Sequence, residues 1–127
     1  FYVRNSDDYM AKMISLAGGK YIMDGKVGVG KTGTTKMEAE SFFDLAKDAD
    51  EIIYVWSTGG KPSTLNDLLA KNSVLADMKA VKEGNVWCTT PDFFQISNTI
   101  GNIINDMNSV FSADASADKF TYLYKLK

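Results

Sequence analysis

Histidine is absent from this sequence of 127 residues, and cysteine occurs once, at Cys88. Histidine is the commonest protein ligand for zinc, copper and iron, so its absence removes the usual basis for such a site. A single cysteine cannot form an internal disulfide. We therefore predict that the chain builds no metal site of its own and holds no resident cofactor.

A strong excess of charge is also missing. The 14 basic and 16 acidic residues give a net charge of −2 and are spread along the chain, without the basic stripe that grips phosphate backbones. No stretch approaches the roughly 20 apolar residues that cross a bilayer. We therefore expect a water-soluble domain with no nucleic-acid partner and no membrane insertion of its own.

The length and the 45% hydrophobic content suit a single domain over residues 1–127. The sequence opens on Phe1 without an initiator methionine, so we expect a piece of a longer protein. Apolar strand patterns alternate with helical ones, which favours an α/β fold with helices on both faces of a small, mainly parallel sheet.

The helical patterns begin at recognisable capping residues. Ser6 caps the first helix, which ends at Gly18, and Thr35 with Glu38 fits a capping box for a second helix that ends near Lys47. Further helices are predicted from Ser63, over residues 74–82, and from Pro91 to Phe111.

Strands are predicted at residues 21–23, 51–56 and 86–89. The run over residues 51–56 is apolar and β-branched, which is typical of an inner strand covered on both faces. Residues 24–35 are rich in glycine and threonine and are predicted as loop, and residues 120–126 as a last strand or an extended arm.

One stretch matches a nucleotide-binding pattern. Between Gly25 and Thr32 the sequence reads Gly-Lys-Val-Gly-Val-Gly-Lys-Thr, which fits the phosphate-binding consensus. That chemistry needs a buried strand before the loop and a helix that begins at its Gly-Lys-Thr. The sequence gives only residues 21–23 before the loop and starts the next helix several residues too late. A surface loop is the favoured interpretation, and nucleotide binding is the alternative.

Candidate catalytic groups are few. The carboxylates of Asp7 and Asp8, or of Glu38 and Glu40, are paired in sequence, but helix-start electrostatics accounts for most of them. Cys88 falls in an apolar strand, where a thiol usually serves packing. We predict that the chain is not an enzyme.

Four residues are candidates for ligand contact. In open α/β sheets ligands bind beyond the carboxyl ends of strands, where Trp56 ends one strand and Phe94 and Gln95 follow another. Arg4, in an expected loop before the first helix, could pair with an anionic ligand. Ordinary packing, capping or surface exposure is the alternative for each, whereas Phe93 fits the core stripe of its helix.

Four segments in this order resemble the C-terminal lobe of the solute-binding proteins of ABC importers for ferric siderophores, haem and cobalamin. They are residues 16–21 (Leu-Ala-Gly-Gly-Lys-Tyr), 37–43 (Met-Glu-Ala-Glu-Ser-Phe-Phe), 49–54 (Ala-Asp-Glu-Ile-Ile-Tyr) and 78–87 (Met-Lys-Ala-Val-Lys-Glu-Gly-Asn-Val-Trp). The resemblance spans about Tyr9 to Phe111. It implies one three-layer α/β/α lobe of a bilobal protein whose N-terminal lobe lies outside this chain.

The resemblance also implies function. Such proteins are extracytoplasmic, as periplasmic proteins or cell-surface lipoproteins, and hold a metal chelate between two lobes. A surface glutamate of each lobe docks on arginines of the permease. Here Glu40 matches that glutamate and Glu38 is the second choice. Arg4, Trp56, Phe94 and Gln95 match the cleft edge, where an arginine and aromatic faces suit an anionic ferric chelate.

We therefore expect the substrate-binding component of an ABC importer, with a ferric siderophore as first choice of ligand and cobalamin or haem after it. Because a siderophore already saturates its iron, a receptor without histidine fits this function. A nucleotide-binding domain that uses the loop from Gly25 to Thr32 is the alternative. A third possibility is an interaction module that keeps the lobe architecture without the ligand.

Overall fold

Two small sheets organise the protein. Its structure is a computed structural model and describes residues 1–55, 60–90, 93, 100–112 and 120–127. The first sheet is a ribbon of β1 (Tyr2–Arg4) and β2 (Thr34–Lys36), which run antiparallel. The second sheet has the order β3 (Ile52–Tyr54), β4 (Val86–Thr89) and β5 (Leu123–Lys125).

Helices cover both faces of the second sheet. They are α1 (Tyr9–Leu16), α2 (Ala39–Ala46), α3 (Leu65–Lys71), α4 (Lys79–Lys82) and α5 (Ile100–Phe111), with a 3₁₀ turn over Ser73–Asp77. α1 and α5 pack on one face, and α2, α3 and the 3₁₀ turn pack on the other. This arrangement confirms the predicted α/β class with its three layers.

The second sheet is mixed in direction. β3 pairs parallel with β4, as expected for strands joined through helices, whereas β5 adds to β4 in the antiparallel direction. The sheets are therefore less parallel than the sequence indicated, because the chain returns through β5 after α5 instead of crossing over again.

β4 is the most buried strand, and its side chains alternate between the two faces. Val86 and Cys88 join the apolar cluster on the α2 side of the sheet, with Leu68 and Met78. Trp87 joins the cluster on the α1 side, with residues of α1 and α5. Every residue of β4 is buried, so this strand links the two halves of the core.

The sequence predicted β3 as an inner strand, and this prediction is wrong for the sheet that the described strands form. β3 lies at the edge of the second sheet and β4 at its centre. The apolar run has another cause: Ile52 and Tyr54 pack on the α2 side, while Ile53 and Val55 pack on the α1 side. A strand covered on both faces reads as continuously apolar even at an edge.

Two predicted helix starts need correction. Thr35 lies in β2, and α2 begins only after Glu38, whose side chain makes no capping hydrogen bond. α3 is capped by Thr64 instead of Ser63, and there a complete capping box forms. The Asp67 N–H donates to Thr64 Oγ1 over 3.2 Å, and the Thr64 N–H donates to Asp67 Oδ2 over 2.9 Å.

The first helix also begins later than predicted. Asp8 is its N-cap, with Oδ1 accepting the Met10 N–H at 3.0 Å, while Ser6 bonds to the loop that follows the helix. Gly18 ends the helix with φ of +88°, as predicted.

The segment after the first helix contradicts one predicted strand. Residues 22–26 form turns and not a strand, and the predicted loop continues to Gly33, after which β2 begins at Thr34. The expected helical turns over residues 74–82 and the strand within the tail are confirmed. The start of the last helix, predicted at Pro91, lies outside the described residues.

Candidate functional site

The parallel pair of strands defines the edge where ligand contacts were predicted. Tyr54 of β3 lies opposite Cys88 of β4. Because the two strands are parallel, both leave the sheet at the same edge, β3 through Val55 and β4 through Thr90. Trp56, Phe94 and Gln95 follow in sequence but lie outside the described residues. Their role in ligand contact stays a prediction. Phe93 is buried with 3% exposure and packs in the core on the α1 side, as predicted.

Thr90 carries a polar group at this edge that sequence reasoning missed. Its Oγ1 is buried and has no hydrogen-bond partner in the described part of the chain. The Thr90 backbone is well held, since its N–H donates to Tyr122 O over 2.9 Å. A buried hydroxyl without a partner is uncommon, and it can donate to or accept from a polar atom at the edge.

Arg4 lies in β1 and not in a loop. Its Nη1 is 3.6 Å from Asp8 Oδ1, its guanidinium carbon is 5.6 Å from the centre of the Tyr9 ring, and its side chain is 23% exposed. These contacts tie β1 to the start of α1. Contact between Arg4 and a ligand stays a prediction, and any such ligand would compete with Asp8 for the guanidinium.

The loop that matches the nucleotide-binding pattern holds carboxylates of its own chain. The Gly30 N–H donates to Asp7 Oδ2 at 2.6 Å, and the Gly33 N–H donates to Asp8 Oδ2 at 2.8 Å. No helix begins at Lys31, which is exposed, and β2 follows instead. This geometry lacks the helix N-terminus that phosphate loops use, and a phosphate would meet two carboxylates.

Further hydrogen bonds fix the same loop. Asn5 Nδ2 donates to Thr32 O at 2.9 Å, and Ser6 Oγ donates to Val27 O at 2.8 Å. Gly28 has φ of +55°, and a Cβ there would collide with the Asn5 side chain. The sequence signal that we overlooked is the short polar run before α1. Its side chains bind the glycine-rich loop and also cap the start of the helix.

Glu38 and Glu40 lie at the start of α2. Both are exposed, with Glu38 at the N-cap and Glu40 in the first turn. The ion pairs found within the described ranges involve neither carboxylate. Both positions are favourable for acidic side chains because of the helix dipole, and both carboxylates face solvent, where a partner can reach them.

A shallow depression of about 350 Å³ lies beside α2 and α4. Three basic and three acidic side chains line it around Phe43, namely Lys47, Lys79, Lys82, Asp48, Asp77 and Glu83. Lys79 pairs with Asp50 at 2.6 Å and Lys82 with Asp77 at 3.7 Å. The balanced charges give this surface no preference for a ligand of either sign.

Cys88 and Glu51 are the other groups with unusual environments. Burial raises the pKa of the Cys88 thiol, which fits the packing role predicted for it. Burial also raises the pKa of Glu51, while a hydrogen bond from Trp87 Nε1 at 3.1 Å partly opposes the change. Both groups lie within or against the second sheet and belong to its packing.

Metal-binding and membrane-spanning features were also sought. Within the described ranges, no cluster of three or more cysteine, aspartate or glutamate side chains is placed to hold a metal ion. Across the same residues, no helix has the length and apolar character needed to span a membrane.

Comparison with known proteins gives distant relatives. No protein-family model matches the chain, and no solved structure matches it. The chain is 30% identical over 125 residues to the uncharacterized lipoprotein MJ0878 of Methanocaldococcus jannaschii. It is 28% identical over 131 residues to the uncharacterized lipoprotein MJ0872 of the same organism.

These matches cover nearly all of this chain and a minor part of the relatives. They include 97% and 98% of the chain but 28% and 32% of the lengths of MJ0878 and MJ0872. The chain thus spans about a third of the curated relatives that it matches.

Proposed function

We propose that this chain is one lobe of the extracytoplasmic substrate-binding component of an ABC importer. It captures a metal chelate, with a ferric siderophore as first choice and cobalamin or haem as alternatives, and docks on the permease through Glu40. The observation that carries the proposal is the start of α2. The segment that resembles the docking element opens this helix and leaves the Glu40 carboxylate exposed, with Glu38 beside it.

The other segments of the resemblance support the proposal by their places in the fold. Residues 16–21 end α1, residues 49–54 contain β3, and residues 78–87 run from α4 into β4. Together they contribute to both faces and to the second sheet of the three-layer fold. Such a lobe presents the carboxyl ends of parallel strands to a ligand, where Trp56, Phe94 and Gln95 are predicted to make contact.

The relatives support a location outside the cytoplasm. Both are lipoproteins by name, and a lipid anchor holds a protein at a membrane surface. Each is more than three times as long as this chain, which leaves room for an N-terminal lobe that completes the cleft. A cell-surface or periplasmic receptor fits these features.

The ligand proposal needs no metal ligand from the chain. A ferric siderophore carries iron that is already saturated, so recognition falls to charged and aromatic side chains around its organic shell. Nucleotide binding has less support, because the amides of Gly30 and Gly33 already bind Asp7 and Asp8.

Ligand binding is tested on the full-length protein by titration with ferric hydroxamate and ferric catecholate siderophores, cobalamin and haem, with ATP and Mg²⁺ as the control. Tryptophan fluorescence reports binding. We expect saturable quenching by one chelate, weakened by Trp56→Ala and by Arg4→Ala. The matched variant Trp87→Phe changes a tryptophan buried in β4 and leaves the affinity unchanged.

Two results would overturn the ligand proposal. One is the absence of binding by every chelate in the panel. The other is a response to ATP alone that Lys31→Ala abolishes, which would support the nucleotide alternative.

A further inference from the structure

The turn that opens the glycine-rich loop contains an aspartate followed directly by a glycine. Asp24 and Gly25 are both exposed. The Lys26 N–H donates to Met23 O over 3.0 Å, so Asp24 and Gly25 occupy the two central positions of a turn. Gly25 has φ of +68°, and a Cβ built on it meets no atom within 4 Å. The backbone nitrogen that joins the two residues is therefore not crowded by a side chain.

This pair of residues can react within the chain. The Gly25 nitrogen attacks the side-chain carboxyl carbon of Asp24, a C–N bond forms, and the carboxyl hydroxyl leaves with the amide proton as water. A second water then opens the five-membered succinimide. Opening at the side-chain carbonyl restores aspartate, whereas opening at the main-chain carbonyl routes the backbone through the side chain, as isoaspartate. One water is released and one is consumed, so no further reactant is needed.

Ser6 holds the attacking amide in the folded chain. Its Oγ accepts the Gly25 N–H at 3.1 Å and donates its proton between Met23 O, at 3.1 Å, and Val27 O, at 2.8 Å. Attack requires the Gly25 nitrogen to give up its proton and to come within about 3–3.5 Å of the carboxyl carbon. While the amide is bonded to Ser6 its proton is engaged, so the reaction proceeds from a locally opened turn.

The product would change the contacts that hold the loop. Isoaspartate adds the Asp24 Cβ to the backbone between Met23 and Val27, whose carbonyl groups both lie against the Ser6 hydroxyl. The extra C–C bond, of about 1.5 Å, alters the spacing of the two carbonyl groups around that hydroxyl. The Ser6 N–H also donates to Val27 O, at 2.9 Å, so the modified segment is the one that Ser6 anchors.

We propose that Asp24 is a site of spontaneous isoaspartate formation and that Ser6 sets the rate of this modification. The inference goes beyond the proposed function and does not depend on it, since neither residue belongs to the predicted ligand contacts. It gives Ser6, which caps no helix in the structure, a protective role in addition to its place in the loop contacts.

The test follows oxygen exchange while the full-length protein is incubated at neutral pH in heavy-oxygen water. Each passage through the succinimide places one solvent oxygen in residue 24. Trypsin cuts after Lys20 and Lys26, and Asp24 is the only acidic residue of the peptide between them. Digestion in ordinary water and mass spectrometry measure the label, and chromatography of the peptide separates isoaspartate from aspartate.

We expect label and isoaspartate to accumulate in this peptide, and Ser6→Ala to raise the rate roughly 2- to 10-fold, the factor for loss of one hydrogen bond. Ser6→Thr keeps the hydroxyl and should react at about the wild-type rate. Asp24→Glu is the matched control, because its longer side chain would have to close a six-membered ring, and it should gain no label. Asp44, exposed within α2 and followed by leucine, serves as the internal control.

Two outcomes contradict the inference. A wild-type peptide that stays unlabelled while the urea-unfolded protein becomes labelled refutes the site. Equal rates for wild type and Ser6→Ala refute the role of Ser6. Thermal unfolding of each variant separates a change in the turn from a loss of the whole fold, and chelate binding by the same samples tests the proposed function separately.

Discussion

Asp8 shows how much of this fold depends on one buried carboxylate. It is 2% exposed, and its two oxygens cap α1 through the Met10 N–H and hold the Gly33 N–H, with Arg4 nearby. A buried acid is tolerated because it is paired and hydrogen-bonded. The sequence indicated only that Asp8 is an acidic residue near the start of a helix. In the structure its side chain connects α1, the glycine-rich loop and β1.

Replacing Asp8 should be costly. Asp8→Ala removes a helix cap and leaves the Gly33 N–H without its acceptor, so we expect a loss of about 2–4 kcal/mol in the free energy of unfolding. Asp8→Asn keeps the cap and should cost less. Asp7→Ala, at the exposed neighbour, should cost about 1 kcal/mol or less. Urea denaturation measures all three, and equal losses for Asp7→Ala and Asp8→Ala would refute the assignment.

Glu51 should make stability depend on pH in a defined direction. Burial raises its pKa above the ordinary value of 4.5, so the folded chain binds this proton more tightly than the unfolded chain. The ionised side chain therefore lowers stability above the raised pKa, and this penalty disappears as pH falls below 4.5.

Glu51→Gln tests that direction, since it removes the charge and keeps an acceptor for Trp87 Nε1. We expect a higher melting temperature than wild type at pH 7 and no difference at pH 3.5, both measured by circular dichroism. Asp24→Asn, at an exposed loop position, is the control and should show no such difference. A destabilised Glu51→Gln at pH 7 would mean that Lys125 and Trp87 outweigh the burial of the charge.

At the scale of elements, the glycine-rich loop is held by hydrogen bonds to the residues before α1. Gly25 and Gly28 both have positive φ, of +68° and +55°, but only Gly28 faces a neighbour, the Asn5 side chain. An alanine at Gly25 has open space around its Cβ. The two positions therefore form a matched pair that separates backbone strain from steric collision.

We expect Gly25→Ala to destabilise the protein by about 1–2 kcal/mol, the cost of a left-handed conformation for alanine. Gly28→Ala bears the same cost and must also displace Asn5, whose Nδ2 bonds to Thr32 O, so its loss should be at least about 1 kcal/mol larger. Chemical denaturation gives both values. Equal losses would indicate that the Asn5 side chain moves aside at little cost.

The elements also mark what the sequence could predict. Helices with caps and apolar stripes, and strands with continuous apolar runs, appear where local chemistry predicts them, as at α1, β3 and β4. β2 was missed because Thr34 to Lys36 is polar throughout and gains its strand form by pairing with β1. Pairing between residues about 30 positions apart leaves no local signal, and neither does the contact of Asp7 and Asp8 with the loop.

The candidate site follows the same division. The exposure of Glu38 and Glu40 follows from their place at a helix start, which local sequence predicts. Thr90 gave no signal by itself, because the burial of its hydroxyl depends on tertiary contacts such as the bond from its N–H to Tyr122 O.

At the scale of the whole molecule, β4 joins two cores. Cys88 faces the cluster on the α2 side and Trp87 faces the cluster on the α1 side, and both are buried. Because one short strand belongs to both clusters, we expect the described domain to unfold as a single cooperative unit.

These adjacent residues supply a probe for each side. In a Trp56→Phe background, Trp87 fluorescence reports the α1 side, and the reaction of Cys88 with a thiol reagent reports the α2 side. We expect both to change at the same urea concentration, and the thiol to react negligibly before that point, because burial raises its pKa. Two separate midpoints would mean that the two faces unfold independently.

The contact between the glycine-rich loop and the carboxylates before α1 has a consequence for protein engineering. The carboxylates of Asp7 and Asp8 act as intramolecular inhibitors, since they occupy the amides of Gly30 and Gly33 that a phosphate would need. Their effective concentration is fixed by the fold and cannot be diluted, so free phosphate must compete with acceptors that are already in place. Installing a phosphate site in this loop therefore begins with the removal of two side chains, one of which also starts a helix.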